Sequence, residues 1–167
     1  MEKLKIGEHF FYRNDDYLDD IEFILLDIIN GNYFSIMADL LPERMPFDTA
    51  GTNKWETSSL RAYLNKVIYR RLGGFLHLVP HNGDDVTLLS IEEYEKYKHL
   101  IPKRNISWWT RSPHLSDATN AWLVYPAGSV TTRNGTSALG VSHACEFSST
   151  NLTIRPQGDT KIVFYDS

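Results

Sequence analysis

The sequence predicts an α+β domain, with a hairpin and two helices in its first half and an irregular, β-rich second half. Three observations carry that prediction. Asn30-Gly31 sits between two β-branched and aromatic runs, Ile21 to Ile29 and Asn32 to Met37, and both turn residues tolerate the positive φ that a type I′ hairpin turn requires. Leu60, Tyr63, Leu64, Val67, Ile68 and Leu72 recur at helical spacing and form one apolar stripe. Ser90-Ile91-Glu92-Glu93 is a capping box that opens a second, shorter helix, its serine and glutamate satisfying donors that a helix start leaves orphaned.

A chain of 167 residues, 42% hydrophobic and 13% aromatic, has enough apolar mass for one core, and no Pro/Gly/Ser-rich linker divides it. We read residues 1–167 as a single domain in which 1–20 is an N-terminal extension, 21–110 the hairpin and helices, and 111–167 the loop-rich β region. Lys and Arg number 17 against 21 acidic residues, a formal charge of −4, so no global attraction to nucleic acid is expected. The opening Met1-Glu2-Lys3-Leu4-Lys5-Ile6-Gly7 lacks the apolar core of a signal peptide, and no segment is apolar for long enough to span a bilayer. The expectation is a soluble protein, cytoplasmic or virion-associated, with no membrane partner. Cys145 is the single cysteine, which excludes an intramolecular disulfide and a multi-cysteine metal site.

In chain order, the segment through Asp20 is aromatic and then acidic, Phe10, Phe11 and Tyr12 being followed by Asp15, Asp16, Asp19 and Asp20. Without the glycine and terminal glutamate of an EF-hand, those carboxylates read as a solvated turn. After the hairpin and a loop from Leu41 to Lys54, Thr57 or Ser58 is placed to cap the helix that carries the Leu60-to-Leu72 stripe. Arg70 and Arg71 suit the negative end of its dipole, and Gly73-Gly74 supplies a left-handed stop. Arg61 and Asn65 lie one turn apart off the centre of the stripe, either fastening neighbouring loops or simply solvated. Phe75 to Leu78 reads as a short strand or a continuation of the packing surface, Pro80 to Asp85 as a polar turn, and Val86-Thr87-Leu88-Leu89 as a short buried strand. Ile91, Tyr94 and Tyr97 give the second helix its face, and Pro102 stops the segment beyond it.

At Trp108-Trp109-Thr110-Arg111-Ser112-Pro113 the chain changes character. Neighbours in an extended segment point to opposite sides, so one indole enters the core under the first helix while the other covers a second surface. Trp55, Arg61, Asn65, Trp108 and Trp109 are assigned to the scaffold. So are Arg111 and Arg155, whose forked guanidiniums suit loop carbonyls and carboxylates. From Ser112 to Asn151 the composition turns to Ser, Thr, Asn, Gly and Ala, with short alternating pieces at 121–125 and 139–141. Leu152 to Pro156 and Lys161 to Tyr165 read as two closing strands.

Catalytic patterns are sparse. His143 and Cys145, two apart, would share a strand face as a thiolate–imidazole pair, yet no third partner orients them, and a lone cysteine is more often a small packed hydrophobe. A metal site would need ligands recruited from scattered loops, and the glycines form no phosphate-cradling pattern, so neither metal nor cofactor is expected. Recognition is better supported. Asp117, Asn120, Trp122, Tyr125, Arg133, Asn134, Thr136, Ser142, His143 and Ser149 combine aromatic area with short polar groups, the mixture found on binding loops of rigid scaffolds. The plainer reading is that Ser, Thr, Asn and Gly fill turns. Trp122 and Tyr125 point to opposite faces of a strand, so at most one belongs to a recognition surface.

Trp55-x-x-Ser58-x-Leu60-Arg61-x-Tyr63-Leu64-Asn65, Leu88-Leu89-Ser90-x-Glu92-Glu93-Tyr94, the Trp108-to-Pro113 block and Ile154-Arg155-Pro156 together resemble an uncharacterised domain family of Firmicutes and their phages. The resemblance runs from Ile21 to the end. That family is similar to the C-type-lectin-like fold of formylglycine-generating enzymes and of the variable proteins of diversity-generating retroelements. The resemblance implies a C-type-lectin-like single domain, two helices packed on a small twisted antiparallel sheet, with long loops forming a ligand surface between Arg111 and Arg155. Thr110 stands where the family often has leucine, and Thr153-Ile154-Arg155-Pro156 where glycine-valine-arginine-proline is usual. The paired redox cysteines of the enzymes are missing, as is the Glu-Pro-Asn or Gln-Pro-Asp calcium triplet of true lectins, so neither activity carries over. The expected function is a non-catalytic binding module of phage or bacterial origin whose partner is a protein or a glycan. Two alternatives stand beside it. One is a hydrolase or transferase assembled around His143 and Cys145; the other is an intracellular inhibitor that docks an acidic face, Asp15 to Asp20 with Asp84 and Asp85, on a basic host protein.

Overall fold

Both residues of the Asn30-Gly31 turn have positive φ, 51° and 80°, the geometry of a type I′ turn. The turn joins β2 (Ile21–Ile29) to β3 (Asn32–Met37). The computed structural model describes residues 3–12, 21–72 and 76–165. Within them the other strands are β1 (His9–Tyr12), β4 (Leu78–Val79), β5 (Trp108–Pro113), β6 (Asn120–Val124), β7 (Val130–Asn134), β8 (Ala144–Phe147), β9 (Leu152–Gln157) and β10 (Thr160–Tyr165). They make a seven-stranded sheet in the order β4-β8-β3-β2-β1-β10-β9 and a three-stranded sheet in the order β5-β6-β7. With two helices, the fold is α+β.

Two expectations change here. His9–Tyr12, expected within an N-terminal extension over 1–20, instead form β1 inside the large sheet, antiparallel to β2 and parallel to β10. Phe10 and Tyr12 are fully buried, while His9 is exposed and Phe11 half-buried. That alternation is a strand signature, masked in the sequence by the aspartates that come after it. The large sheet is also neither small nor wholly antiparallel, the β1–β10 pair being parallel. The acidic turn of Asp15 to Asp20, the Gly73-Gly74 stop and Phe75 lie outside the described residues.

The sheet separates two cores. Phe23 and Leu25 face one cluster and Ile24 and Leu26 the other, as the two-residue period of a strand dictates. Burial on both faces explains the unbroken apolar run in β2. The first helix covers the first cluster with Leu60, Leu64, Ile68 and Leu72. It is α-helical over Ser59–Tyr63 and Tyr69–Leu72, with a π-helical turn at Leu64–Ile68 between them. Ser58 caps it, its Oγ accepting from the Arg61 amide at 3.1 Å.

Arg61 and Asn65 fasten loops. Arg61 Nε donates to Asp84 Oδ1 at 2.7 Å. Asn65 sits in the π turn and pairs both ways with Val86, Nδ2 donating to its carbonyl at 2.9 Å and Oδ1 accepting from its amide at 3.0 Å. Val86 to Leu89 is fully buried, as expected, but makes one bridge, Thr87 to Ala144, instead of a strand. Side chains take the place of a ladder there: Asn65 serves Val86, and Arg111 Nη1 donates to the Leu88 carbonyl at 2.6 Å. The second helix, Ile91–Tyr97, closes its capping box with bonds of 2.8 and 3.0 Å between Ser90 and Glu93.

The adjacent indoles do diverge. Trp109 joins the cluster under the first helix, while Trp108 packs with Tyr94, Tyr97 and Val124 in the second. Thr110 is fully buried and donates to the Trp122 carbonyl at 2.9 Å, which gives a hydroxyl a place where leucine would leave that acceptor unmet. Arg155 corrects an expectation: it is exposed on the edge strand β9 and lies over the Phe164 ring at 5.0 Å, a cation–π contact and not a tie between loops. Among the described residues no helix is long and apolar enough to cross a membrane.

Candidate binding surface

Three loops are stitched into one platform by two residues that the sequence did not single out. Asn53, 5% exposed, shares its Nδ2 donors among the carbonyls of His114, Asp117 and Asn120 at 3.3, 2.5 and 2.8 Å. The Asp48 carboxylate accepts from Thr52 Oγ1 at 2.7 Å and from the amides of Ala50, Thr52 and Ser59. Burial works to raise the Asp48 pKa, but the Thr52 hydroxyl and those amides outweigh it and hold the carboxyl below its ordinary value. Backbone bonds run along the seam, from Asp48 N to Gly135 O at 3.1 Å, Gly135 N to Thr119 O at 2.8 Å and Asn53 N to Ala118 O at 3.1 Å. A Cβ on Gly135 would lie 2.8 Å from the Thr52 carbonyl oxygen, so only glycine admits this approach.

The double-tryptophan strand supports the platform from below. Trp109 Nε1 donates to the Met45 carbonyl at 3.0 Å, and its ring meets Phe47 edge-on at 5.6 Å. Phe47 also packs on Trp55, whose Nε1 donates to Asp84 Oδ2 at 2.7 Å. Asp84 is thereby buried between Trp55 and Arg61. It does not belong to an acidic docking face.

Most of the expected contact residues gather at this platform. Asp117 Oδ1 accepts from the amides of Thr119 and Asn120 at 2.6 and 3.0 Å, and Asn134 Oδ1 accepts from the Thr136 amide and hydroxyl at 2.9 and 2.8 Å. These short polar side chains therefore shape turns while remaining at the surface, and Arg133 is exposed beside them. Trp122 is half-buried and stacks on His114 with centroids 6.1 Å apart. Leu115, at the tip of the same loop, is 96% exposed.

The remaining expected residues lie elsewhere. Tyr125 comes just after β6 and lines a separate cleft with Trp108. Ser149 occupies the turn between β8 and β9, where the Ser148 amide bonds to the His77 carbonyl at 2.9 Å. Ser142 and His143 are corrected outright: they are 0% and 2% exposed, because the chain runs there into β8, which is enclosed between β3 and β4. Burial pushes the Cys145 thiol up to about 12. Burial, with the Arg71 charge behind it, pushes His143 down to about 3. At neutral pH the two are a thiol and an uncharged imidazole, so no thiolate–imidazolium pair forms.

A second polar assembly went unseen in the sequence beyond its capping box. His81 lies between two carboxylates, Nε2 2.6 Å from Glu93 Oε2 and Nδ1 3.1 Å from Glu146 Oε1. Carboxylates only accept, so both ring nitrogens donate and the imidazolium is the form that fits. Burial lowers the His81 pKa, but the hydrogen bonds to Glu93 and Glu146 overrule it and raise the value. Arg111 Nη1 meets Glu93 Oε1 at 2.5 Å and Asn32 Nδ2 donates to Glu146 Oε2 at 3.1 Å. Against the effect of burial, the His81 bond, the Arg111 charge and the Ser90 amide hold Glu93 down at about 2. Phe34 stacks on the imidazole at 4.0 Å. Among the described residues no group of His, Cys, Asp and Glu is arranged to hold a metal ion.

No protein-family model, curated protein or solved structure matches this chain, so the reading of its surface rests on its own residues.

Proposed function

We propose that the chain is a non-catalytic binding module of phage or bacterial origin, a lectin-like scaffold of the family its motifs resemble, which presents the 114–119 loop and the end of β7 with the turn that follows it, residues 133–137, to a protein or glycan. The observation that carries this reading is the Asn53 seam. A carboxamide spent on three loop carbonyls makes an irregular surface rigid, and rigidity lowers the ordering cost of binding. Above that seam stand Arg133, Asn134 and Thr136, with Leu115 almost wholly exposed. A large aliphatic side chain held out on an ordered loop offers a partner ready apolar area.

The test is a selection followed by a contact map. The intact chain is screened on a glycan array and against a displayed-peptide library. A ligand that engages the platform loses about tenfold in affinity with Leu115→Asp or Arg133→Glu, with an unchanged melting temperature. A selected ligand indifferent to both substitutions, or no ligand from either screen, counts against the proposal.

A further inference from the structure

Away from the platform, the end of the second helix, residues 101–104, Trp108 and the turn after β6 enclose a cleft of about 360 Å³, within the range of small-molecule sites. Its walls divide by chemistry. Trp108, Ile101, Val124 and Tyr125 supply an apolar and aromatic surface, while Lys98, His99, Lys103 and Arg104 supply nitrogen cations or donors. No carboxylate lines it. Lys98 is held by Glu95 at 2.8 Å, whereas Lys103 makes no ion pair among the described residues.

Arg104 is the decisive residue. It is 8% exposed, yet no acid among the described residues lies within ion-pair distance. Its Nε donates to the Pro102 carbonyl at 3.2 Å, and its Nη2 to the Met37 carbonyl at 3.0 Å and Ser142 Oγ at 3.3 Å. Its Nη1 has no hydrogen-bond partner among the described residues. The guanidinium carbon lies 5.6 Å from the Trp108 ring, so neutral oxygens and an indole face, and no paired carboxylate among the described residues, surround the charge. Burial pulls the Arg104 pKa down to about 10, with Asp39 opposing from a distance, and the group stays charged at neutral pH. A buried charge without a counter-charge is costly, and its field emerges where the low-dielectric wall opens, into the cleft it lines.

We propose that this cleft binds a small carboxylate with an aromatic or aliphatic body, the carboxylate meeting Lys103 and the field of Arg104, and the apolar part lying along Trp108, Ile101, Val124 and Tyr125. The ligand supplies the anion that Arg104 lacks. Tyr94 fixes the far wall, its hydroxyl donating to the Gly128 carbonyl at 2.9 Å, so the pocket exists before the ligand arrives. This site is independent of the loop platform, and either can fail without the other.

The experiment uses 4-phenylbutyrate as probe and 4-phenylbutanol as its neutral counterpart, titrated into the intact, isotopically labelled chain and followed by amide and indole NMR signals. Phenylbutyrate is expected to shift Tyr125, Ala127, Gly128 and the Trp108 indole, and to bind about tenfold more tightly than the alcohol. Lys103→Glu, on an exposed residue, is expected to weaken phenylbutyrate about tenfold and leave the alcohol unchanged. Arg104→Met is expected to equalise the two probes. Equal affinity of acid and alcohol for the unmodified chain, shifts mapping to another surface, or no saturation below about 10 mM overturns the proposal.

Discussion

Arg111 and Arg104 are both largely removed from water, and they end in opposite circumstances. Arg111 meets Glu93, Glu93 meets His81, and His81 meets Glu146, which takes a further bond from Asn32. Each charge in that chain has a counter-charge and a fixed geometry. Arg104 has two carbonyls, a hydroxyl and an indole face, but no acid within ion-pair distance among the described residues. A closed network specifies a scaffold, because every member has something to lose if the packing shifts. An open one leaves an electrostatic demand that a ligand can meet. The location of each fits: the first ties the helix start to the large sheet, and the second lines a cleft.

The largest effect that would break this contrast comes from Arg111→Met. Glu93 then stays half-buried opposite a single cation, and the Leu88 carbonyl keeps only the Thr87 hydroxyl at 3.2 Å. Removing one partner of such a network typically costs about 3–5 kcal/mol, and urea denaturation is expected to show a loss of that size with the m-value unchanged. A loss below about 1 kcal/mol would mean the network is an ornament of the packing.

Next in size is Asn53→Ala, which probes the platform and not the charge network. Three part-buried carbonyls lose a shared donor, the Asn120 carbonyl alone keeping another in the His114 amide at 2.9 Å, at a cost of about 1–3 kcal/mol. The loss should be local as well as global. Faster hydrogen exchange at the Gly135 and Asn53 amides is expected, with the first helix protected as before; a uniform loss of protection would show that Asn53 supports the whole fold and not the loops.

The pH dependence sharpens the account of the closed network. His81 has a raised pKa, so its contribution is complete below its ordinary value of 6.5 and is lost as pH rises through the higher folded value. Glu93 is lowered from 4.5 to about 2, so its contribution is present above 4.5 and is lost as pH falls toward 2. Stability from this network is therefore greatest between about pH 4.5 and 6.5. Melting temperatures across pH 4 to 9 are expected to decline on the alkaline side, and His81→Gln is expected to flatten that decline. Parallel profiles for the two proteins would remove His81 from the explanation.

Legibility in the sequence tracks the range of each interaction. Asn30-Gly31, the Leu60-to-Leu72 stripe and the Ser90–Glu93 box are local patterns, in which the residues that cause the structure are neighbours in the chain. The divergence of Trp108 and Trp109 needed only strand geometry. The candidate surface was legible in part: Asp117, Asn134 and Thr136 form their turns from within the loop and could be read there. Asn53 reaches carbonyls more than sixty residues away, and nothing next to it in the chain announces that. His81, Glu93 and Glu146 likewise converge from three separate segments, and only Glu93 had a local role to betray it. Ser142 and His143 looked like loop residues because their neighbours are small and polar, while their burial depends on β3 and β4 closing over β8.

The smallest expected stability change tests the other half of the contrast. Arg104→Met deletes donors, but the acceptors it leaves are provided for: the Met37 carbonyl keeps the Ser142 hydroxyl at 3.3 Å, and Pro102 is exposed to water. The substitution also removes a buried charge that no acid among the described residues pairs with and replaces it with a side chain able to lie on the Trp108 ring. Exchanging an ion for a well-packed apolar group is often neutral or stabilising, so the change is expected to stay within about 1 kcal/mol in either direction. Equilibrium unfolding beside Arg111→Met decides the matter. If the two substitutions cost the same, both arginines are scaffold and the distinction between closed and open networks fails. If only Arg111→Met is costly, the fold keeps Arg104 at some electrostatic expense without needing it to stand, which is the behaviour of a residue kept for a ligand.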